Sequence, residues 1–372
     1  MNPQEILDVL VASGVEFATG VPDSLLSEFC RAVEDHPGIR HVTAANEGGA
    51  VSLAAGNYLA TGRRALVYMQ NSGLPNAINP YVSMCHPTVY AMPSIWVIGW
   101  RGQPGVLDEP QHMAMGAVTP SMLETLGIPV FQLDGEQPDA VDRLQIWLRE
   151  KCDTVAILVS AKTFDRLGIS DRRPVERPLK RGDVLKLLVK GSNAEDVIFA
   201  GIGHVGRELL GVRSDDETSY EFAGDFLCTG AMGHASQFAL GFALSQPRRR
   251  VWCLDGDGAF TMHMGSCNWI SREPKLRFVH VLFDNGVHAS VGGQAVCGEK
   301  VDFGAVARAV GYAHVEKISS LTEAEGALSA SRQRNGPAFL WCLVDAEVAT
   351  SLPRPRLKLS ERGAMFREAR YD

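Results

Sequence analysis

Residues 251–259 read Val-Trp-Cys-Leu-Asp-Gly-Asp-Gly-Ala, and this stretch decides the architecture of the second half of the chain. Its apolar start predicts a buried strand, and the Gly256-Asp257-Gly258 turn that follows begins a helical segment running to Ile270. Backbone N–H groups in such a turn can approach a phosphate, while the Asp257 carboxylate offers a hard oxygen ligand to a divalent metal. A Gly-Asp-Gly sequence is by itself most often an ordinary turn, so the prediction needs a partner elsewhere in the chain.

A second polar turn follows the next predicted strand. Residues 278–283 predict another buried strand, and Asp284-Asn285-Gly286 comes directly after it. A helix between two parallel strands returns the chain to the same edge of the sheet, so Asp257 and Asn285 are expected to lie close together. Both offer oxygen ligands, the donor type that Mg²⁺ prefers. We therefore predict a magnesium site at this edge of the sheet.

Short apolar runs alternate with helical segments along the chain, which predicts an α/β fold with two doubly wound parallel-sheet domains. A chain of 372 residues exceeds what one hydrophobic core usually supports. Residues 166–181 are charged and contain prolines, so we expect them to link a domain at 1–165 to a domain at 182–372. The predicted strands lie at Val15–Val21, Ala65–Gln70, Ile95–Trp100, Ala156–Val159, Val197–Ala200, Val251–Leu254, Val279–Phe283 and Phe339–Val344.

Composition and charge narrow the possible partners. Hydrophobic residues make up 45% of the chain, charged residues 21%, and the net charge is -7 with no long run of one sign. These values argue against nucleic acid and an anionic membrane as partners. No apolar run reaches the roughly 20 residues that span a bilayer, and no secretory signal pattern is visible. The eight cysteines form no C-x-x-C pair, which predicts buried reduced thiols and a cytoplasmic location. The basic residues after Pro353 predict a surface extension.

Longer motifs are spread over both halves of the chain: Gly20-Val21-Pro22-Asp23-Ser24, Gln70-Asn71-Ser72-Gly73, Trp100-Arg101-Gly102, Asp108-Glu109-Pro110-Gln111-His112 and His288-Ala289-Ser290-Val291-Gly292-Gly293-Gln294. Together with the two polar turns, they resemble the phosphonopyruvate decarboxylases, a family that depends on thiamine diphosphate. The resemblance implies a pyrimidine-binding domain at 1–165 and a domain at 182–372 that binds the diphosphate and Mg²⁺. In the family an Asn-Asn pair follows the Gly-Asp-Gly, and here Asp284 replaces its first Asn.

The resemblance also implies which residues surround the cofactor. Residues 229–235 resemble the segment in which a glycine carbonyl, here Gly230, binds the 4′-amino group and a bulky residue, here Met232, bends the cofactor. Without that resemblance, the same residues would be an ordinary glycine-rich turn before a close-packed helix. The implied metal ligands are Asp257, Asn285 and the carbonyl of Val287. The implied cofactor-binding residues are Glu47, Gly203, His204, Gly230, Met232, Gly256, Asp257, Gly258, Ala259 and Asn285.

Thiamine chemistry needs a carboxylate that protonates N1′ of the aminopyrimidine, so that the 4′-nitrogen can take the proton from C2. Asn46-Glu47-Gly48-Gly49 begins a helix of small residues and resembles the family's activating segment, which assigns this role to Glu47. A Glu in a first helical turn commonly serves only to stabilise the helix dipole. The small-residue helix favours the catalytic role, because close packing would desolvate the carboxylate and raise its pKa.

A doubly anionic substrate needs cationic and hydrogen-bonding groups. His288 and His112 are the predicted catalytic side chains besides Glu47, although a lone His is more often structural. Residues 201–208 depart from the family's Thr-Gly-Lys-like phosphate loop, so backbone N–H groups and His204 would bind the phosphate instead. Pro75 is a further departure, which we expect to stiffen the loop after Gly73. The predicted substrate-binding residues are Asp23, Ser24, Arg101, Gln111, His112 and Ser290.

The activity implied by the resemblance is decarboxylation of the 2-oxoacid 3-phosphonopyruvate to phosphonoacetaldehyde and CO₂, in phosphonate biosynthesis. A carboligase is disfavoured because the chain has no room for a middle domain. Sulfopyruvate decarboxylase, whose two halves are often separate subunits, is an alternative, and a non-catalytic scaffold subunit is another. The resemblance also implies a homodimer or higher homo-oligomer with the active site at the subunit interface, where Glu47 of one chain faces Asp257 of another.

Overall fold

The computed structural model of the chain describes residues 1–166, 176–201, 203–214, 224–297, 300–346 and 351–369. By their internal contacts these residues form two compact units. The first unit contains the described residues 1–166 and 290–297, and the second contains the others. Residues 167–175 of the predicted linker lie outside the described part of the chain.

The first unit is built on strands β1 (Phe17–Gly20), β2 (Arg40–Thr43), β3 (Ala65–Gln70), β4 (Ser94–Gly99), β5 (Val130–Leu133) and β6 (Val155–Val159). They form one parallel sheet in the order β2-β1-β3-β4-β6-β5. The helices are α1 (Pro3–Ala12), α2 (Ser27–Asp35), α3 (Glu47–Thr61), α4 (Leu74–Pro80), α5 (Pro110–Thr125) and α6 (Ala140–Arg149).

Alternate residues of the central strands point to opposite faces of this sheet and build two hydrophobic cores. On β4, Ile95 and Val97 pack into the core covered by α1, α2 and α6. Trp96 and Ile98 pack into the opposite core, covered by α3, α4 and α5. Because β4 is buried on both faces, it appears in the sequence as a continuous apolar run.

The second unit repeats this topology with strands β7 (Asp196–Ala200), β8 (Asp225–Leu227), β9 (Arg250–Gly256), β10 (Phe278–Asp284), β11 (His314–Ile318) and β12 (Ala338–Leu343). Their parallel order, β8-β7-β9-β10-β12-β11, equals that of the first sheet when strands are counted from the start of each unit. The predicted fold class is therefore confirmed. The helices are α7 (Arg181–Gly191), α8 (His204–Ser214), α9 (Ala235–Ser245), α10 (Asp257–Met262), α11 (Cys267–Ser271), α12 (Phe303–Val310), α13 (Leu321–Gln333) and α14 (Leu359–Glu368).

The topology predicts where each unit can bind a ligand. In both sheets the chain first moves outward by one strand and then crosses to the other side of its first strand. Such a reversal leaves a crevice at the carboxyl ends of the two strands on either side of it. These are β1 and β3 in the first unit, and β7 and β9 in the second.

The expected surface extension after Pro353 is wrong for residues 359–368, which form α14. Phe366 is buried and its ring packs against Phe199, Phe226 and Phe242 at centroid distances of 5.6, 5.2 and 5.7 Å. The aromatic side chain of Phe366 thus attaches α14 to the second unit, although the rest of this helix is mostly polar.

Two further expectations from the sequence need correction. Pro75 does not stiffen a loop, because it lies in the first turn of α4, where a proline is readily accommodated. Six of the eight cysteines are buried as predicted, but Cys152 and Cys297 are exposed. Across the described residues, no helix is both long enough and apolar enough to cross a membrane.

The turn after β4 packs closely against α5, and Gly116 makes this contact possible. A Cβ atom on Gly116 would lie 1.8 Å from the carbonyl oxygen of Gly102. We expect Gly116→Ala to lower the free energy of unfolding by about 1–3 kcal/mol, measured by urea denaturation.

A matched control is Gly326→Ala on α13, where a new Cβ atom would meet nothing within 4 Å. This substitution should stabilise the protein by about 0.5–1 kcal/mol, because alanine favours helix. Equal effects at the two positions would contradict the close contact.

Candidate active site

In the second unit, Asp257 joins the turns that follow two neighbouring strands. Its carboxylate is 4% exposed and lies at the start of α10, directly after β9. Oδ1 accepts a hydrogen bond from the N–H of Gly258 at 2.8 Å, and Oδ2 accepts one from the N–H of Gly286 at 2.8 Å. The turn after β10 is further shaped by Asn285, whose Oδ1 accepts from the N–H of Val287 at 3.2 Å. The structure thus brings together the residues predicted to bind the metal.

The electrostatics of Asp257 favour a bound cation. Burial, and then the neighbouring Asp284 carboxylate, raise the pKa of Asp257 to about 7, and no cation is among the groups that shift it. Asp284 accepts from the indole N–H of Trp341 at 2.8 Å and lies 3.6 Å from Nη1 of Arg177. A divalent cation would therefore stabilise the ionised form of Asp257.

A cation at this position would have to use more than side-chain anions. The described residues contain no group of three or more His, Cys, Asp or Glu side chains suited to a metal. The predicted donors are instead the amide oxygen of Asn285 and a main-chain carbonyl, both in the turn that Asp257 contacts. This hard oxygen set fits Mg²⁺, which usually also takes phosphate oxygens and water. The residues present are therefore compatible with a magnesium diphosphate.

The turn that contains Gly230 and Met232 packs against α10. A Cβ atom on Gly233 would lie 3.0 Å from the carbonyl oxygen of Ala259 and would overlap the side chain of Met262. Within this turn the backbone of Ala231 has a φ of 53°, in the left-handed region that residues other than glycine rarely adopt. Such strain is typical of functional sites, where the surrounding structure holds the backbone in place.

The predicted phosphate loop lies at the reversal point of the second sheet. The N–H of Gly201 donates to the carbonyl of Leu254 on β9 at 2.7 Å, and Gly203 has a φ of 91°. Ile202 lies outside the described residues. α8 begins at His204, so its free N–H groups face the position where an anion would be bound. Burial, and then the positive charge of Arg181, lower the pKa of His204, so its imidazole is neutral at pH 7.

His288 follows the metal-binding turn closely in the chain. Burial lowers its pKa to about 4, so the side chain is a neutral imidazole at physiological pH. A neutral imidazole can accept a proton or donate one hydrogen bond, but it brings no positive charge to a substrate. His288 is therefore suited to proton transfer more than to anion binding.

In the first unit, Glu47 is the first residue of α3 and is 5% exposed. Its Oε2 accepts a hydrogen bond from Nδ2 of Asn76 at 2.8 Å. A Cβ atom on Gly73 would lie 2.1 Å from Oε1, so only glycine leaves room for the carboxylate. Burial raises the pKa of Glu47. A buried carboxyl group held by one amide fits a proton-exchanging role better than simple stabilisation of the helix dipole.

A polar network lies at the reversal point of the first sheet. Gln70, the last residue of β3, donates through Nε2 to Oδ1 of Asp23, which follows β1. Oδ2 of Asp23 accepts from the N–H of Leu25 at 3.0 Å. Burial raises the pKa of Asp23, although Gln70 and Arg101 oppose the shift. Gln70 and Arg101 thus stabilise the ionised form of Asp23 against the effect of burial.

Arg101, the predicted cationic group for the substrate, is already engaged by another side chain. Its Nε and Nη2 donate to the two carboxylate oxygens of Asp108, and Nη1 donates to Oγ of Ser24 at 2.9 Å. Asp108 also accepts from the N–H groups of Gly102 and Glu109. This arrangement fixes the position of Arg101 but offsets most of its charge.

The remaining predicted residues are placed around this network. Gln111 and His112 lie in the first turn of α5, and His112 is buried. Burial, and then Arg101, lower the pKa of His112. Ser290 is exposed in segment 290–297. Within that segment, Nε2 of Gln294 donates to the carbonyl of Ser27 at 3.1 Å.

Three residues that contact the predicted site residues were not predicted from the sequence: Gln70, Asn76 and Asp108. Gln70 carried a usable signal, because it directly follows the apolar run of β3 and so lies at the carboxyl end of a strand. Asp108 and Asn76 carried none, since their contacts with Arg101 and Glu47 depend on how loops and helices pack.

The fold and the two polar strand edges define the class of the protein. Residues 3–119 match the family model "Thiamine pyrophosphate enzyme, N-terminal TPP binding domain". Residues 215–342 match "Thiamine pyrophosphate enzyme, C-terminal TPP binding domain". The chain is thus a thiamine pyrophosphate (thiamine diphosphate) enzyme, with one cofactor-binding domain from each half.

Three curated relatives narrow this class. The chain is 31% identical to phosphonopyruvate decarboxylase from Streptomyces hygroscopicus, over 99% of this chain and 94% of the relative. It is 30% identical to phosphonopyruvate decarboxylase from Streptomyces viridochromogenes, over 96% and 92% respectively. Sulfopyruvate decarboxylase subunit beta from Methanothermobacter thermautotrophicus is 32% identical over only 41% of this chain and 75% of the relative. The chain therefore belongs to the phosphonopyruvate decarboxylase family and is a 2-oxoacid decarboxylase.

The raised pKa of Glu47 predicts how the free energy of unfolding depends on pH. In the cofactor-free protein, the pKa of Glu47 is higher in the folded state than in the unfolded state, where it is about 4.5. Protonated Glu47 therefore stabilises the folded protein at pH values below about 4.5, and this contribution is lost as the pH rises through the folded-state pKa. We expect Glu47→Gln to remove this loss, so that the stability of the variant rises relative to that of wild type as the pH increases above about 4.5. Urea denaturation at several pH values measures the difference.

The matched control is Glu150→Gln, because Glu150 is exposed. Its stability should follow that of wild type across the same pH range. If Glu47→Gln also remained parallel to wild type, the carboxylate would not be desolvated in solution.

Proposed function

We propose that this enzyme decarboxylates 3-phosphonopyruvate to phosphonoacetaldehyde and CO₂, using thiamine diphosphate and Mg²⁺. The observation that carries the proposal is the similarity to two phosphonopyruvate decarboxylases over at least 96% of this chain. A decarboxylase of this kind needs a cofactor-activating carboxylate, an anchored diphosphate and groups that recognise an anionic substrate. Candidates for each are present in the described residues.

Bound thiamine diphosphate supplies the electron sink for cleavage of the carboxylate's carbon–carbon bond. Asp257, the amide oxygen of Asn285 and the main-chain carbonyl of Val287 would hold Mg²⁺ and, through it, the diphosphate. The N–H groups at the start of α8, beside Gly203 and His204, suit the phosphate oxygens. The hydrogen bond from Gly286 to Asp257 supports this arrangement, because it holds both turns in one place.

Glu47 would exchange a proton with N1′ of the aminopyrimidine. Its raised pKa supports this role, since burial that disfavours the ionised carboxylate favours sharing of a proton with a ring nitrogen. Gly230 and Met232 would position the pyrimidine ring, and the strained backbone at Ala231 is consistent with a turn shaped for a ligand.

The six predicted substrate-binding residues all belong to the first unit. In the first unit, Arg101 is held by Asp108 and Ser24, beside Asp23 and His112. The other predicted substrate residues are Gln111 and Ser290, and His288 would act as a neutral proton donor or acceptor. The pairing of Arg101 with Asp108 makes it a positioned hydrogen-bond donor more than a free cation.

A second copy of the chain is the proposed partner. The outer face of α3, the helix that begins at Glu47, borders an open groove of about 580 Å³ that includes Leu53 and Gly56. Leu59 on the same helix is 73% exposed. Apolar and small residues of this kind allow close helix packing, which supports a homo-oligomer with Glu47 near the subunit interface. A monomer in sedimentation experiments would refute this proposal.

Sulfopyruvate is the second candidate substrate. It differs from phosphonopyruvate by a sulfonate in place of the phosphonate, and the partial similarity to a sulfopyruvate decarboxylase subunit favours it to a smaller extent. We expect the purified enzyme, with thiamine diphosphate and Mg²⁺, to release CO₂ from phosphonopyruvate with a kcat/KM at least roughly tenfold above those for sulfopyruvate and pyruvate. A preference for sulfopyruvate would overturn the proposed substrate.

Two substitutions should separate activation of the cofactor from its binding. Glu47→Gln is expected to lower turnover by roughly 10²–10⁴-fold while thiamine diphosphate still binds nearly as in wild type, because the amide cannot exchange the proton. Asp257→Asn should weaken cofactor binding by at least roughly tenfold, because a charged Mg²⁺ ligand is lost. Calorimetric titration with thiamine diphosphate in the presence of Mg²⁺ provides the binding readout. A fully active Glu47→Gln enzyme would refute the assignment of Glu47.

A further inference from the structure

The second unit contains a cavity of about 270 Å³ next to the turn that carries Gly230. We call it the β8 cavity, because it is lined by β8, the following residues 228–231, and side chains of α9 and α14. Much of its wall is apolar, including Phe226, Phe238 and Leu359. Thr229, Gly230 and Ala231 also line it. The cavity therefore adjoins the residues proposed to position the cofactor.

One cationic side chain lines the β8 cavity without a complete set of partners. Nη1 of Arg362, on α14, is buried and has no hydrogen-bond partner in the described part of the chain. The cavity also contains Asp225, but both of its carboxylate oxygens accept hydrogen bonds from Arg213, at 2.7 and 3.0 Å. The charge of Asp225 is thus offset by Arg213. A buried guanidinium N–H that lacks a partner is costly unless a ligand supplies one.

A phosphonate suits this position for two reasons. The guanidinium group presents N–H donors in a planar fork, which matches the oxygens of a phosphonate, and apolar walls strengthen such a charged contact. The phosphonate also stays on the substrate while the carboxylate leaves as CO₂, so an ion pair to it lasts through the reaction. The first unit does not supply an equivalent free cation at the predicted position, because Arg101 is paired with Asp108.

We propose that the β8 cavity binds the phosphonate group of the substrate, with Arg362 as its cationic partner. This inference rests on the proposed function, and it identifies α14 as an element that determines substrate specificity. It also assigns a role to the basic C-terminal segment, in which Phe366 anchors the helix that carries Arg362.

The test uses Arg362→Met, which removes the charge and keeps a long apolar stem. Methylphosphonate is titrated into the full-length protein saturated with thiamine diphosphate and Mg²⁺. We expect the dissociation constant for methylphosphonate to rise at least roughly tenfold in the variant, because a charged hydrogen bond is lost. The KM for phosphonopyruvate should rise by a similar factor, while kcat/KM for pyruvate, which has no phosphonate, should not change.

Two further variants make the result specific. Arg367→Met, an exposed arginine on the same helix, should bind methylphosphonate as wild type does. Arg362→Lys keeps the charge without the fork and should retain part of the binding. Unchanged methylphosphonate binding in Arg362→Met would overturn the proposal, and so would acetate binding to wild type more tightly than methylphosphonate.

The same experiment distinguishes the two proposals. If wild type did not decarboxylate phosphonopyruvate but bound methylphosphonate in an Arg362-dependent way, the proposed function would fail and the anion site would stand. If wild type turned over phosphonopyruvate and Arg362→Met were unaffected in both readouts, the proposed function would stand and the role of Arg362 would be excluded.

Discussion

The hydrogen bond between the N–H of Gly286 and the carboxylate of Asp257 is the contact on which the candidate cofactor site of the second unit depends. It exists because β9 and β10 are parallel neighbours, so the turns after them emerge at the same edge of the sheet. The contact fixes a buried carboxylate beside the turn that contains Asn285. Burying a carboxylate without a counter-charge is unfavourable, so the proposed Mg²⁺ would stabilise the ionised form of Asp257.

The first unit has the same strand order as the second, but its buried acid has a different environment. This acid, Glu47, follows the edge strand β2 and starts a helix. Glu47 contacts a neutral amide, Asn76, and burial raises its pKa. Asp257 instead lies beside a second carboxylate, Asp284, which raises its pKa further. The environment of Glu47 thus suits the proposed proton exchange, and that of Asp257 suits the proposed metal ion.

How much of the fold could be predicted from the sequence depended on burial. All eight strands that were predicted are central in their sheets, and most of them appear as continuous apolar runs. The four missed strands, β2, β5, β8 and β11, are the four sheet edges and contain partly or fully exposed positions. Edge strands lack a second neighbour, so their sequences need not be apolar throughout. The fold class was therefore accessible from the central strands alone.

The site was only partly predictable, for a related reason. Asp257 and Asn285 lie directly after predicted strands, and a parallel sheet brings such residues to one edge. Glu47 follows β2, a strand that the sequence did not reveal, and it was identified by its resemblance to the family's activating segment. The pairing of Arg101 with Asp108 could not be read in this way, because it depends on how the loop between them folds. The packing of α14 against the second unit was not predicted, because the segment is rich in basic residues and a single buried aromatic residue, Phe366, attaches it.

Close packing at glycine positions explains why these carboxyl groups are desolvated. A Cβ atom on Gly73 would lie 2.1 Å from the carboxylate of Glu47, and one on Gly99 would lie 2.1 Å from that of Asp23. In each case a backbone without a side chain takes the place that water would otherwise occupy beside the acid. The raised pKa values of Glu47 and Asp23 follow from this exclusion of water. Gly73 and Gly99 therefore affect the pKa values of these acids, so substitution there would alter acidity together with packing.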